Sequence, residues 1–303
     1  MIAERKMNDG GDSAREAAAE LSHVPVMADE VVDFFTGGRK DGLLVDGTAG
    51  CGGHLSRLTE ALPRMRFLAV DRDPSAVSVL RNRFGDSPEV TVRSGSYTMI
   101  PGMLEEMGLG KATAALFDLG LSSLQLDDPC RGFSYRHDSP LDMRFDETEG
   151  RTAEELLNEL TEKEIADIIY RFGQEGRSRR IARAIVAARP LRSCRELADV
   201  VAGSVRGPST KILSRVFQAL RIAVNREMEQ LDTLLSDLHS WTEPGARIAF
   251  ITFHSMEDRR IKILFRDDPF YLQHSPKWLV PTEGEIRSNS RARSARLRMG
   301  VRS

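Results

Sequence analysis

Leu43-Leu44-Val45-Asp46-Gly47-Thr48-Ala49-Gly50-Cys51-Gly52-Gly53-His54 is a short apolar run feeding straight into a glycine-rich loop. A second apolar run, Phe67-Leu68-Ala69-Val70, follows and closes on an acidic pair, Asp71 and Asp73. Strand, glycine loop, helix, strand and terminal acid is the order in which an α/β sheet holds a nucleoside. Glycine lets the backbone turn tightly and approach a ligand, and the terminal acid accepts hydrogen bonds from ribose hydroxyls. The spacing Gly50-x-Gly52-Gly53 is not the strict G-x-G-x-x-G of dinucleotide enzymes, which argues against a nicotinamide-dependent oxidoreductase. The competing reading is a tight strand-to-helix turn without a ligand, and Asp71 weighs against it. Asp73 stands before Pro74, so it reads as a helix N-cap with proline at the first helical position.

Outward from this core, residues 90–92, 114–117 and 247–253 are further short apolar runs bounded by turn or charged residues, as buried strands are. Helical periodicity over 55–62 and 75–84 alternates with the first of them, which predicts parallel strands with crossover helices. Strand signals then vanish between 129 and 231. Thr152-Ala153-Glu154-Glu155, Thr161-Glu162-Lys163-Glu164 and Ser193-Cys194-Arg195-Glu196 each read as a capping box. A long helical pattern covers about 209–240, with Asn225 as its candidate break, and Glu243-Pro244-Gly245 is expected to end it. The expected fold class is an α/β sheet domain split by an all-helical insertion. The expected division is an extension over 1–22, a sheet domain from 23–128 and 232–303, and the insertion over 129–231.

The chain has 303 residues, 43 basic and 45 acidic, for a formal charge of −2. That balance announces neither a nucleic-acid binder nor a membrane protein, although local patches matter more than totals. No apolar stretch is long enough to cross a bilayer, and the start has no secretory h-region, so a soluble cytoplasmic protein is expected. Cys51, Cys130 and Cys194 are far apart and show no metal-ligand spacing, and no metal is expected.

Candidate chemistry gathers at strand ends, which face the ligand crevice in open α/β sheets. Asp118-Leu119-Gly120-Leu121-Ser122-Ser123 ends the fourth strand, with Gln125, Asp127 and Asp128 continuing the loop. The acid either positions a polar substrate group or caps the loop. His54 reads either as a base or as a hydrogen-bond donor at a helix start. Tyr97, after the third strand, suits both an adenine neighbour and ordinary core packing. Phe253-His254-Ser255-Met256-Glu257-Asp258 ends the last clear strand, but no G-x-S-x-G elbow supports a hydrolase. Eight arginines lie between Arg171 and Arg195, and six more at 287, 291, 293, 296, 298 and 302. Guanidinium groups suit phosphate and base stacking, so RNA contact competes with a solvated, ion-paired helix face.

Taken in order, several motifs resemble one known family. They are His23-Val24-Pro25-Val26, Asp46-Gly47-Thr48 with Gly52-Gly53-His54, Asp71-Arg72-Asp73-Pro74, the Asp118–Asp128 loop, Arg131-Gly132-Phe133-Ser134 and Pro140-Leu141-Asp142-Met143-Arg144. Phe217-Gln218-Ala219-Leu220-Arg221, Phe253-His254-Ser255 and Arg291-Ala292-Arg293-Ser294 complete the set. The pattern is similar to the ribosomal RNA small subunit methyltransferase H family. The resemblance implies a class I, Rossmann-like, S-adenosyl-L-methionine-dependent methyltransferase with an inserted helical domain. Its implied reaction is methylation of the exocyclic N4 of a cytidine in the decoding region of 16S ribosomal RNA, with the RNA presented within the small subunit.

Carried over residue by residue, the resemblance implies cofactor contacts from Gly52, Gly53, His54, Asp71, Tyr97, Asp118 and Gln125. Asp118, Ser122 and Ser123 are expected around the target amine, with Asp142, His254 and Ser255 as further base contacts. Arg177, Arg179, Arg180, Arg183, Arg291 and Arg293 are the expected RNA contacts. The alternative is a non-enzymatic RNA-binding or ribosome-assembly factor on the same fold. The chain departs from the family in carrying Ala49-Gly50-Cys51 before the paired glycines and Leu124 and Ser290 at positions usually held by proline.

Overall fold

The computed structural model describes residues 25–136, 138–206 and 210–303. The expected extension over 1–22, His23 and Val24 of the first motif, and Ser209 at the start of the long helical pattern lie outside the described residues.

The chain begins with α1 (Ala28–Thr36) and β1 (Gly42–Asp46), then α2 (Gly53–Ala61), β2 (Met65–Asp71), α3 (Pro74–Phe84) and β3 (Val90–Ser94). α4 (Ile100–Glu106), β4 (Ala112–Asp118) and the short α5 (Ser123–Asp127) follow. β1 pairs in parallel with β2 and β4, β2 with β3, and β4 with β5 (Thr242–Thr252). The central strands are apolar nearly throughout because helices cover both faces. Leu44, Phe67 and Leu116 pack under α1 and α2, and Val45, Leu68 and Phe117 pack on the opposite side.

Two strands were not foreseen. β6 (Tyr271–Gln273) and β7 (Arg296–Arg302) extend the sheet to seven strands in the order β3-β2-β1-β4-β5-β7-β6, with β7 antiparallel to both neighbours. β5 also starts earlier than expected. Thr242 pairs with Ala112, and a register irregularity absorbs Glu243-Pro244-Gly245 within the strand instead of ending it.

Between α5 and β5 the described residues form an irregular stretch, bridged at Pro140 to Ser193, and then helices: α6 (Ala153–Glu159), α7 (Glu162–Gly173), α8 (Ser178–Ala187), α9 (Cys194–Ser204), α10 (Thr210–Asn225) and α11 (Glu227–Trp241). All three expected capping boxes form, at Thr152, Thr161 and Ser193. Residues from Phe133 to Leu220 build a hydrophobic cluster of their own, with Leu157, Ile169, Ile185, Leu197 and Val216 at its centre. The long helical pattern breaks after Asn225, where Arg226 takes a left-handed conformation (φ 52°). α11 then packs Leu231, Leu234, Leu238 and Trp241 on the sheet. α12 (Ser255–Asp267) and α13 (Glu283–Ser288) complete the chain with β6 and β7.

Candidate active site

The strand order reverses between β1 and β4, so the connections that follow them leave toward opposite faces of the sheet and a crevice forms at the switch point. A cleft of about 1180 Å³ opens there, lined by the glycine loop, Asp71, Tyr97, the Asp118–Asp128 loop and parts of α10 and α11.

The loop is built around its hydrogen bonds. Gly50 N–H donates to Asp71 Oδ2 (2.7 Å), and Asp73 N–H donates to Asp71 Oδ1 (2.8 Å). Each carboxylate oxygen keeps a lone pair for a further donor. Burial raises the Asp71 carboxyl to about 6 despite these bonds. Gly52 sits at φ 80°, a left-handed turn, and a Cβ there would meet the Phe84 ring at 2.6 Å. Gly52 therefore turns the loop and is not part of the cleft wall, whereas Gly53 and His54 are.

His54 and Asp118 meet across the crevice. His54 Nε2 lies 3.5 Å from Asp118 Oδ2. Both ring nitrogens of His54 and Asp118 Oδ1 are buried without a hydrogen-bond partner. Asp118 N–H donates to Thr48 Oγ1 (2.6 Å), which ties the end of β4 to the loop after β1. Beneath them Asp46 is 2% exposed, and burial pushes its carboxyl up to about 7. Tyr97 lines the cleft and packs edge-on against Phe117, so cleft wall and core packing coincide in one ring.

Other expected site residues stand differently. Gln125 reaches the cleft but is buried, and both ends of its carboxamide are used. Oε1 accepts Ser122 N–H (3.0 Å), and Nε2 donates to Asp73 Oδ2 (3.0 Å). Ser122 in turn caps α5 by accepting Gln125 N–H, and the side chain of Ser123 lies outside what is described. Ser122-x-x-Gln125 is a capping-box spacing that was legible in the sequence. Asp142 does not line the cleft, and its carboxylate binds the Arg144 guanidinium (2.9 and 2.7 Å). That pairing holds its carboxyl below the usual range against the opposing effect of burial. Ser255 is exposed and donates to Gln174 Oε1 (3.3 Å).

His254 caps α12, with its Nδ1 accepting Glu257 N–H (3.4 Å) and its Nε2 3.0 Å from Glu257 Oε1. Glu227, His254 and Glu257 each bring a ligand-type atom within 4.8 Å of the others. Their charge is already met: Arg221 grips Glu227 at 2.8 and 2.9 Å, and Glu257 Oε2 accepts Phe253 N–H (2.9 Å).

The arginines divide in two. Arg177, just before α8, and Arg179, Arg180 and Arg183 within it are exposed; Arg177 and Arg183 pair loosely with Glu175 and Glu162, at 3.6 Å each. Arg291 lines the cleft and pairs with Asp127 (2.6 Å), and Arg293 is exposed. Arg296 and Arg298 both bind Asp258, and Arg298 is 2% exposed within β7. Arg189 donates to Leu157 O and Leu160 O. Arg189 and Arg298 belong to the fold, not to a basic surface, while the Arg296 side chain is half-exposed.

A seven-stranded sheet with β7 reversed between β5 and β6, and a crevice over the ends of β1, β2 and β4, define a class I methyltransferase. Residues 20–302 match the model of the MraW methylase family, and the chain belongs to that family. It is 42% identical over 290 residues to Ribosomal RNA small subunit methyltransferase H of Coprothermobacter proteolyticus, covering 92% of this chain and 95% of that protein. To the proteins of the same name from Acaryochloris marina and Neisseria meningitidis serogroup B it is 41% and 40% identical, covering 93% and 94% of this chain and 95% and 94% of theirs. The cofactor of this methylase is S-adenosyl-L-methionine. The donor set suits it, since the carboxylates of Asp71 and Asp118 both line the cleft, where they can meet ribose hydroxyls and the cationic groups of the cofactor.

Proposed function

We propose that the protein methylates the exocyclic N4 of a cytidine in the decoding region of 16S ribosomal RNA. The shared name of its relatives supports the small-subunit RNA as substrate. The observation that carries the chemistry is Asp118, which lines the switch-point crevice with its Oδ1 unpartnered. A cytosine amine is a weak nucleophile because its lone pair is delocalised into the ring. A carboxylate that accepts one N–H favours the pyramidal, nucleophilic form and receives the proton the nitrogen must lose.

S-adenosylmethionine supplies an electrophilic methyl group on sulfur. The proton that the amine nitrogen loses on accepting that methyl would pass to the Asp118 carboxylate. Gly53 and His54 would hold the donor at the loop, Asp71 would accept its ribose hydroxyls, and Tyr97 would lie beside its adenine. Gln125 acts through Asp73 and Ser122, as a positioning residue. Ser122 and Ser123 remain candidates for contact with the amine, and Arg179, Arg180, Arg183 and Arg293 for the RNA backbone. Residues 129–231 would be the substrate-recognition domain.

Nucleoside mass spectrometry of ribosomal RNA from cells lacking the gene tests the reading, with complementation by wild type or Asp118→Ala. Loss of N4-methylcytidine, restored only by wild type, is expected. An unchanged level on deletion would sink the assignment.

A further inference from the structure

A second, smaller recess of about 280 Å³ opens beside the cofactor cleft. Its lining draws on both hydrophobic units: Phe133, Tyr135, Phe217 and Gln218 from the helical part, Phe253 and His254 from the end of β5. Leu121, Arg221 and Phe253 line both spaces, so the two meet along one edge. Gly120 makes this junction close. At φ 122° it lets the Asp118–Ser122 loop pass against Phe253, and a Cβ there would sit 3.1 Å from that ring.

The polar groups of the recess are the informative ones. His254 is committed to Glu257, with its Nδ1 accepting Glu257 N–H (3.4 Å) and its Nε2 3.0 Å from Glu257 Oε1, so it fixes one wall of the recess. The carboxamide of Gln218 makes no hydrogen bond among the described residues, although it offers both a donor and an acceptor. Tyr135 meets Phe217 edge-on at 5.4 Å, and its hydroxyl lies 3.3 Å from Ser214 Oγ. Aromatic walls with a carboxamide and a hydroxyl at their edge suit a planar, edge-polar ring.

We propose that this recess is the acceptor-base subsite. It takes the ring of a nucleobase extruded from the RNA, walled by Tyr135, Phe217 and Phe253, with the exocyclic amine turned toward the shared edge at Leu121. The proposal rests on the methyl-transfer reading above and adds the place where the acceptor is held. It also gives the helical part a direct role at the reacting base, beyond any contact with the RNA backbone.

Two measurements test it. Tyr135→Ala and Gln218→Ala are expected to lower kcat/KM for small-subunit RNA by roughly tenfold while S-adenosylmethionine affinity stays within about twofold of wild type. Tyr135→Phe keeps the ring and is expected to restore most of the loss. Wild-type kcat/KM in both alanine variants would overturn the subsite. The second measurement needs no turnover. A decoding-region RNA fragment carrying a single 5-iodocytidine, irradiated on the protein with S-adenosylhomocysteine, should crosslink to peptides holding Tyr135, Phe217 or Phe253. Crosslinks confined to other peptides would overturn the subsite even if methyl transfer is normal. Failure of the wild type to methylate RNA, with crosslinks at these rings, would sink the reaction and leave the base subsite standing.

Discussion

Asp71 Oδ2 accepts the backbone N–H of Gly50 at 2.7 Å, so the carboxylate that ends β2 also fastens the glycine loop that ends β1. One side chain thereby sets the loop and offers its remaining lone pairs to a ribose. Asp71→Asn can accept only one of the two N–H groups and is expected to weaken S-adenosylmethionine binding by about tenfold, read by calorimetry. Its carboxyl, raised to about 6, is protonated below that value and then donates where it should accept. Wild-type affinity should accordingly fall as pH drops through 6, and this slope should vanish in Asp71→Asn. A pH-independent wild-type affinity would refute the ribose role.

Asp118 should separate chemistry from binding. Asp118→Asn keeps the shape and the Thr48 bond but removes the proton acceptor. The rate of methyl transfer is expected to fall by about 10²–10⁴, the range for a lost general base, and by more than the loss in S-adenosylmethionine affinity. Equal losses in both would make Asp118 a cofactor ligand alone.

The contrast between these two acids and the rest of the site bears on what a sequence discloses. Apolar runs ending in Asp46, Asp71 and Asp118 were readable because a parallel strand buried on both faces leaves no polar alternation to confuse it. β6 and β7 were not, because Arg296, Arg298 and Arg302 make an edge region look like a basic tail. Only the fold shows that Arg298 turns inward onto Asp258. Glu243-Pro244-Gly245 reads as a turn, and nothing local reveals that tertiary pairing with Ala112 pulls it into β5. Phe217 stands in one of the family motifs, but neither it nor Tyr135 carries a local signal of a recess, since what distinguishes them is the space between two distant segments.

Buried Asp73 is expected to matter for stability more than for catalysis. Its Oδ2 accepts from Gln125 Nε2 (3.0 Å) and Arg131 Nη1 (2.9 Å), and both partners are buried. Asp73→Ala leaves the buried Arg131 guanidinium with only Glu147, at 3.7 Å, as a counter-charge, a cost of about 3–5 kcal/mol. Thermal melts should show it, with double substitution by Arg131→Leu recovering part of the loss. A melting point within a degree or so of wild type would deny the pair its structural role.

Asp46 works the other way. Burial raises its folded carboxyl from 3.8 to about 7, so between those values the folded protein holds a proton that the unfolded chain has released. Stability therefore declines as pH rises through that window, and the full penalty is present above it. Asp46→Asn removes the charge while its carbonyl can still accept Thr48 N–H. Its melting point, measured without ligand, should exceed wild type at about pH 8, with the gap shrinking toward about pH 4. A gap that does not change with pH would place the effect in packing, not in ionisation.

The two kinds of arginine should behave oppositely. Arg179 and Arg180 are exposed on α8 and form no ion pair among the described residues, so Arg179→Glu with Arg180→Glu should leave the melting point unchanged. RNA affinity should drop, and the slope of log K against log salt should shrink by about 0.7 for each phosphate contact removed from single-stranded RNA. Arg298→Met should do the reverse. It leaves the Asp258 carboxylate, 7% exposed, with only the Arg296 pair, and should lower the melting point with no change in the salt slope of whatever protein stays folded. If the α8 pair lowers stability and Arg298→Met lowers only RNA affinity, the division of the basic residues into binding and structural sets is wrong.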